Sequence, residues 1–134
     1  MVMNKPRGFT LIELMVVMAA IGLLLAVTVP RYTEHVDRAR EVVLRQNLAA
    51  TRDAIDKFYS DRGRYPAALQ ELVQARYLRQ LPLDPVTDRV DTWVLVAPDG
   101  NGGTGTGTSA GASVSDLHSG AAGTSRDGSP YASW

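Results

Sequence analysis

The 134 residues include no cysteine, which excludes a disulfide framework, a thiolate nucleophile and a cysteine-ligated metal. Histidine is nearly as scarce: His35 and His118 are the only two, little material for a zinc site. Charge of either sign is not in excess. The 14 basic and 14 acidic residues cancel, which argues against a generally basic nucleic-acid binder and against a highly charged disordered tail. No sequence pattern joins a Ser nucleophile to a base and an orienting acid, and no paired carboxylates stand out. Triads are often dispersed along a chain, so this last absence weighs only mildly against an enzyme.

What the chain does have is one long apolar run. The 21 residues from Phe9 to Val29 (FTLIELMVVMAAIGLLLAVTV) carry a single ionisable side chain, Glu13. As a helix this run spans ~31 Å, about the thickness of a bilayer's hydrocarbon core. A core helix in a small soluble domain is rarely apolar on every face, so the run reads as a single transmembrane helix. Lys5 and Arg7 precede it with no acid beside them, which keeps that end in the cytoplasm. In a bacterium the segment would sit in the inner membrane, with the rest of the chain in the periplasm. A secretory signal would have a shorter run followed by a small-residue cleavage site. Thr28-Val29-Pro30 is a poor one, so the run is expected to remain in the mature protein.

Glu13 calls for an explanation. A carboxylate at the centre of a membrane helix costs about 2.5–3.5 kcal/mol on insertion scales, somewhat less at this shallower depth. It either protonates or reaches the interface, or it pairs with a cation. No Lys, Arg or His lies within the run, and Arg7 is on the wrong face for an i, i+4 pair. A cut between Gly8 and Phe9 would create one, because the new α-amine of Phe9 would stand four residues from Glu13. That amine could meet Glu13 of its own helix or of a neighbouring subunit, where a buried ion pair would set register.

These residues resemble a known family. Lys5-Pro6-Arg7-Gly8-Phe9-Thr10-Leu11-Ile12-Glu13-Leu14 is similar to the leader and processing site of type IV pilins and type II secretion pseudopilins. The resemblance implies that a prepilin peptidase cuts after Gly8, that Phe9 is N-methylated, that Glu13 guides subunit addition and that Pro30 kinks the helix. Phe58-Tyr59, Gly63-Arg64-Tyr65-Pro66, Tyr77-Leu78, Leu81-Pro82 and Asp84-Pro85 extend it to the G-type major pseudopilin. The lack of Cys points the same way, since type IVa major pilins usually close a carboxyl-terminal loop with a disulfide. Implied partners are further copies of the chain in a filament, minor pseudopilins, the prepilin peptidase, an inner-membrane assembly platform and, before assembly, membrane lipid. Nucleic acid is not among them.

The expected fold is α+β and pilin-like, a long amino-terminal helix packed on a small antiparallel sheet. Residues 1–8 form the cleaved leader, 9–29 the transmembrane half of the helix, 30–62 its amphipathic half and 63–134 a small globular part. Val36, Ala39, Val43, Leu44, Leu48, Thr51, Ile55, Phe58 and Tyr59 recur at three- and four-residue spacings and predict the buried stripe. Glu34–Arg38, Glu41–Arg45 and Asp53–Lys57 stand at i, i+4 on the solvated face. Gly63 should end the helix, Ala67–Ala75 form a second one, and Asp91–Ala97 pair as a strand with Ser113–His118. The Gly/Thr-rich stretch 100–111 between those strands reads as a loop. It lacks the Gly-Lys-Ser/Thr end of a phosphate cradle.

G-type pseudopilins bind calcium in the carboxyl-terminal loop, and the resemblance makes Asp127, Ser129 and Ser119 the candidate ligands. One carboxylate is a weak start for an ion that takes six to eight oxygens, and Asp127-Gly128 reads more simply as a turn. No other cofactor is expected. The leading reading is a non-enzymatic pseudopilus subunit that helps drive protein export. A major or minor type IV pilin is the near alternative, and a signal-anchored periplasmic enzyme or binding domain is the alternative of another class.

Overall fold

A single helix supplies most of the regular structure. The computed structural model describes residues 8–98 and 113–134, and within them α1 runs from Leu11 to Arg62, 52 residues. Two units divide between Asp37 and Arg38. In the first, every residue from Gly8 to His35 is exposed. Residues 11–29 are long and apolar enough to cross a membrane, judged by length and composition. Pro30 lies inside α1, whose helical assignment is unbroken there. Its missing N–H removes one rung of the ladder, and Thr33 Oγ1 donates to the Pro30 carbonyl at 2.9 Å just beyond it.

In the second unit α1 buries one narrow stripe: Leu44, Leu48, Thr51, Ala54, Ile55 and Phe58. The broader expectation is corrected at its edges. Val43 and Tyr59 are 43% and 45% exposed and Ala39 lies in the open, whereas Ala54 is buried. Positions 44, 48, 51, 55 and 58 alternate steps of four and three and stay on one line, while 43 falls about 100° to one side of its centre and 59 about 60° to the other. Tyr59 is stacked instead on Tyr65, ring centroids 4.4 Å apart. Of the three expected i, i+4 pairs only Asp53–Lys57 forms, at 2.7 Å. Glu41 and Arg45 turn to the carboxyl-terminal loop, so Glu41 is not the solvated charge the pattern suggests.

Gly63 closes α1 as expected. Its φ of +67° is the left-handed conformation that favours glycine, and its N–H donates to the Tyr59 carbonyl at 2.8 Å. Helix α2 covers only Leu69–Gln74, because Ala68 is extended and the Ala67 N–H is taken by the Glu71 carboxylate at 2.8 Å. Leu69 and Leu72 are buried in the core, and Val73 is half-buried.

Among the described residues the sheet is antiparallel and has two strands, β1 (Val94–Val96) and β2 (Asp116–His118), in register Val94↔His118, Leu95↔Leu117 and Val96↔Asp116. Both are shorter than their sequence signal. The Val114 N–H leaves the ladder to donate to the Pro66 carbonyl, and Asp91 turns back to pair with Arg89. The expected loop 100–111 lies outside the described residues. Leu117, Trp93, Val114 and Leu72 complete the core on the α1 stripe, and Arg52 ties the sheet to the helix through Asp116 Oδ1 and the Leu117 carbonyl at 2.7 and 2.9 Å.

Two close fits hold the segment after β2 in place. Asp84 is fully buried, and its carboxylate accepts the Val86 N–H at 2.8 Å and the Ser119 hydroxyl at 2.6 Å. Gly120 then passes Thr92 so closely that a Cβ would sit 1.8 Å from the Thr92 carbonyl oxygen. Neither backbone can yield cheaply, so Gly120→Ala should destabilise the protein by about 2 kcal/mol or more. A fall in the urea midpoint at unchanged m-value would show it.

Candidate functional site

The amino-terminal residues singled out by sequence lie at and before the start of α1. Gly8 has open space around it, for a Cβ there would meet nothing within 4 Å. No contact among the described residues therefore requires a glycine at that position. Phe9 is 88% exposed. Thr10 is the residue that sequence reasoning missed. Its Oγ1 accepts the Glu13 N–H at 3.3 Å, and its carbonyl accepts the Leu14 N–H at 3.2 Å, so it caps the helix. The signal was available: Thr10-Leu11-Ile12-Glu13 has the Thr-x-x-Glu spacing of a capping box. The cap puts Glu13 in the first turn, where the positive end of the helix dipole favours a carboxylate. Ala19, Ala20 and Gly22 lie exposed further along the same apolar segment, and a Cβ at Gly22 would again meet nothing within 4 Å.

The carboxyl-terminal loop is organised around two residues of α1. Glu41 Oε1 accepts the Arg126 N–H at 3.0 Å and the Tyr131 hydroxyl at 3.1 Å. One turn on, Arg45 donates to Asp127 Oδ2 at 3.3 Å and lies over the Trp134 ring, 4.2 Å from its centroid. The loop also closes on itself. Ser129 gives its N–H and its hydroxyl to Asp127 Oδ1 at 3.0 and 2.6 Å, and the Trp134 indole N–H donates to Ser129 Oγ at 2.9 Å. Thr124 and Pro130 form an isolated antiparallel bridge, and a short 3-10 turn covers Tyr131–Ser133. An open cavity of about 510 Å³ lies beside this contact, with Arg38, Glu41, Arg45, Arg126 and Asp127 in its wall.

Asp127 and Ser129 are thus direct partners, whereas Ser119 is committed elsewhere, to Asp84 and to the Ala121 N–H. Among the described residues no group of three or more His, Asp or Glu side chains is arranged to hold a metal ion. His35 is exposed on α1, and His118 Nδ1 is hydrogen-bonded to the Trp134 backbone oxygen. The Ser129 hydroxyl, the Ser129 N–H and then the Ser125 hydroxyl hold the Asp127 carboxyl down at about 2, with a smaller contribution from the Arg45 charge.

Comparison with known proteins separates the two ends of the chain. The family profile of the prokaryotic N-terminal methylation motif matches residues 3–29. Type II secretion system core protein G of Klebsiella pneumoniae is 34% identical over 99 residues, which cover 62% of this chain and 71% of that protein. The protein of the same name from Escherichia coli K12 is 32% identical over 124 residues, 81% of this chain and 83% of the relative. Fimbrial protein EcpC of Eikenella corrodens is 39% identical over 67 residues, 50% of this chain and 44% of its own length. The chain therefore spans less than half of that fimbrial relative. No solved structure gives a significant match.

A carboxyl with a depressed folded-state value adds stability at pH above its unfolded value of 3.8 and loses it as pH falls towards about 2. The loop contact should therefore persist at pH 5 and release only in that acid window. Trp134 emission should follow the release, and Asp127→Asn should remove the acid step.

Proposed function

The chain belongs to the family of type II secretion core protein G, and from that premise we propose that it is a pseudopilin, a structural rather than catalytic subunit. In this reading a prepilin peptidase cuts between Gly8 and Phe9, the Phe9 amine is methylated, and the mature subunit waits in the inner membrane with its globular part in the periplasm. It then joins a pseudopilus made of further copies and of minor pseudopilins on an inner-membrane platform, and the growth of that filament helps drive export.

The observation that carries this reading is the helix segment Leu11–Val29, exposed on every face, with one carboxylate in its first turn. Lipid tails solvate such a surface as well as another helix does. Hydrophobicity alone therefore gives little drive to associate, and close packing at small residues has to supply it. Ala19, Ala20 and Gly22 offer that packing. Glu13 adds direction. A carboxylate at this depth is costly until it meets a cation, and the processed amine of Phe9 on a neighbouring helix is the one this end of the chain can provide. Two helices that slide out of register would leave both charges unpaired, so the pair fixes axial position as well as contact.

A type IV pilus subunit shares this chemistry. The extent of similarity separates the two readings. The Eikenella fimbrial relative matches half of this chain, whereas the Escherichia coli core protein G covers 81% of it and so includes most of the globular part.

Mass spectrometry of the mature protein should find an amino terminus at Phe9 that carries a methyl group. An intact Met1 or a cut beyond Val29 would overturn the processing step. Glu13→Ala should be inserted and cut normally, with filament yield reduced by at least tenfold, and wild-type yield from that variant would reject the assembly role.

A further inference from the structure

We propose that the carboxyl-terminal loop of this chain is closed by a cation the chain itself supplies, the Arg45 guanidinium, and that it holds its fold without calcium. The inference concerns residues 38–134 alone and stands or falls independently of how the amino terminus is processed.

The donor set is the first reason. Asp127 is the only acid between Ser119 and Trp134, and both of its oxygens are in use. Oδ1 takes two bonds from Ser129 and Oδ2 takes Arg45. The Ser129 hydroxyl gives its proton to Asp127 and accepts the Trp134 indole N–H. Glu41, the other carboxylate in the cavity wall, already accepts the Arg126 N–H and the Tyr131 hydroxyl on Oε1. Ser119 is turned into the buried Asp84 carboxylate. Calcium takes six to eight oxygens and favours several carboxylates, so these residues do not fit it.

Charge is the second reason. A guanidinium 3.3 Å from the only loop carboxylate neutralises the attraction that would draw a divalent ion there and repels one that approaches. Arg45 is not a free arm that an ion would simply displace. The Trp134 ring holds it from one side by a cation–π contact and Asp127 from another. Trp134 is itself fixed by Ser129 and by edge-to-face packing on Tyr131, centroids 5.2 Å apart, and Tyr131 bonds Glu41 one turn before Arg45. The circuit from α1 through the loop and back to α1 is closed with protein groups only.

The test uses the full-length protein in detergent micelles, melted in excess EDTA and again in excess calcium chloride, with near-ultraviolet circular dichroism and Trp emission as readouts. The expected result is one Tm and one emission maximum under both conditions. A Tm several degrees higher with calcium, or lower with EDTA, would overturn the proposal. Arg45→Gln should lower the Tm by roughly 2–6 °C and shift the Trp emission equally in EDTA and in calcium. An Arg45→Gln protein with unchanged Tm and emission would overturn it as well. Should that variant fail to fold, a calcium titration of the wild-type protein by isothermal calorimetry decides alone: stoichiometric binding heat refutes the proposal, and its absence supports it.

Discussion

The governing constraint is an apolar helix surface that nothing else among the described residues covers. From Leu11 to Val29 the side chains stand exposed on every face, and the only charge among them is Glu13. In water such a surface would drive aggregation. In lipid it is satisfied but gains little from meeting another helix. The segment is therefore stable in a membrane and undirected there, and whatever directs it has to come from its few non-aliphatic features. Thr10 fixes where the helix starts, Glu13 supplies a charge in the first turn, and the small residues at 19, 20 and 22 permit close approach.

The second unit solves the opposite problem. Its part of α1 exposes charge on most faces and buries a single line of side chains, and about seventy residues are left to cover that line. The economy shows in the structure. Among the described residues the sheet has two strands of three residues, and much of the covering layer is irregular chain held by specific polar contacts. Asp84 gathers the Val86 N–H and the Ser119 hydroxyl, the Trp93 indole reaches the Pro82 carbonyl, and Arg52 binds the β2 backbone. Where regular hydrogen-bond ladders are short, the backbone groups of the connecting segments must find such partners one by one.

The legibility of the sequence follows that division. The long apolar run, the helix to Gly63, the pair of antiparallel strands and the α+β class all rest on patterns that repeat locally, and all are readable. The stripe was read too wide because apolar residues at 43 and 59 satisfy the spacing without lying on the line that meets the sheet. The strands were read too long because the propensity of Asp91–Ala97 says nothing about which backbone partner is in reach, and the Val114 N–H is claimed by Pro66. Thr10 is legible as a capping residue from its Thr-x-x-Glu spacing to Glu13. The partners of Glu41 and Arg45 were not legible at all, since they lie more than eighty residues away in the chain.

That last case shows why local charge patterns mislead on a helix that carries a fold. At i, i+4 Glu41 and Arg45 would make an exposed pair worth about 0.3–0.5 kcal/mol. Divided between separate loop partners, each keeps a charge-assisted hydrogen bond and orders chain that has no ladder of its own. Glu41 receives the Arg126 backbone and the Tyr131 hydroxyl, and Arg45 receives Asp127 and the face of Trp134. A carboxylate partnered with N–H and O–H donors and a guanidinium partnered with a carboxylate and a ring leave little reason for the two to meet each other. Asp53 and Lys57, four residues apart further along the same helix, meet no other element among the described residues and pair with each other. The difference lies in what the rest of the chain brings within reach, and not in the spacing, which is identical.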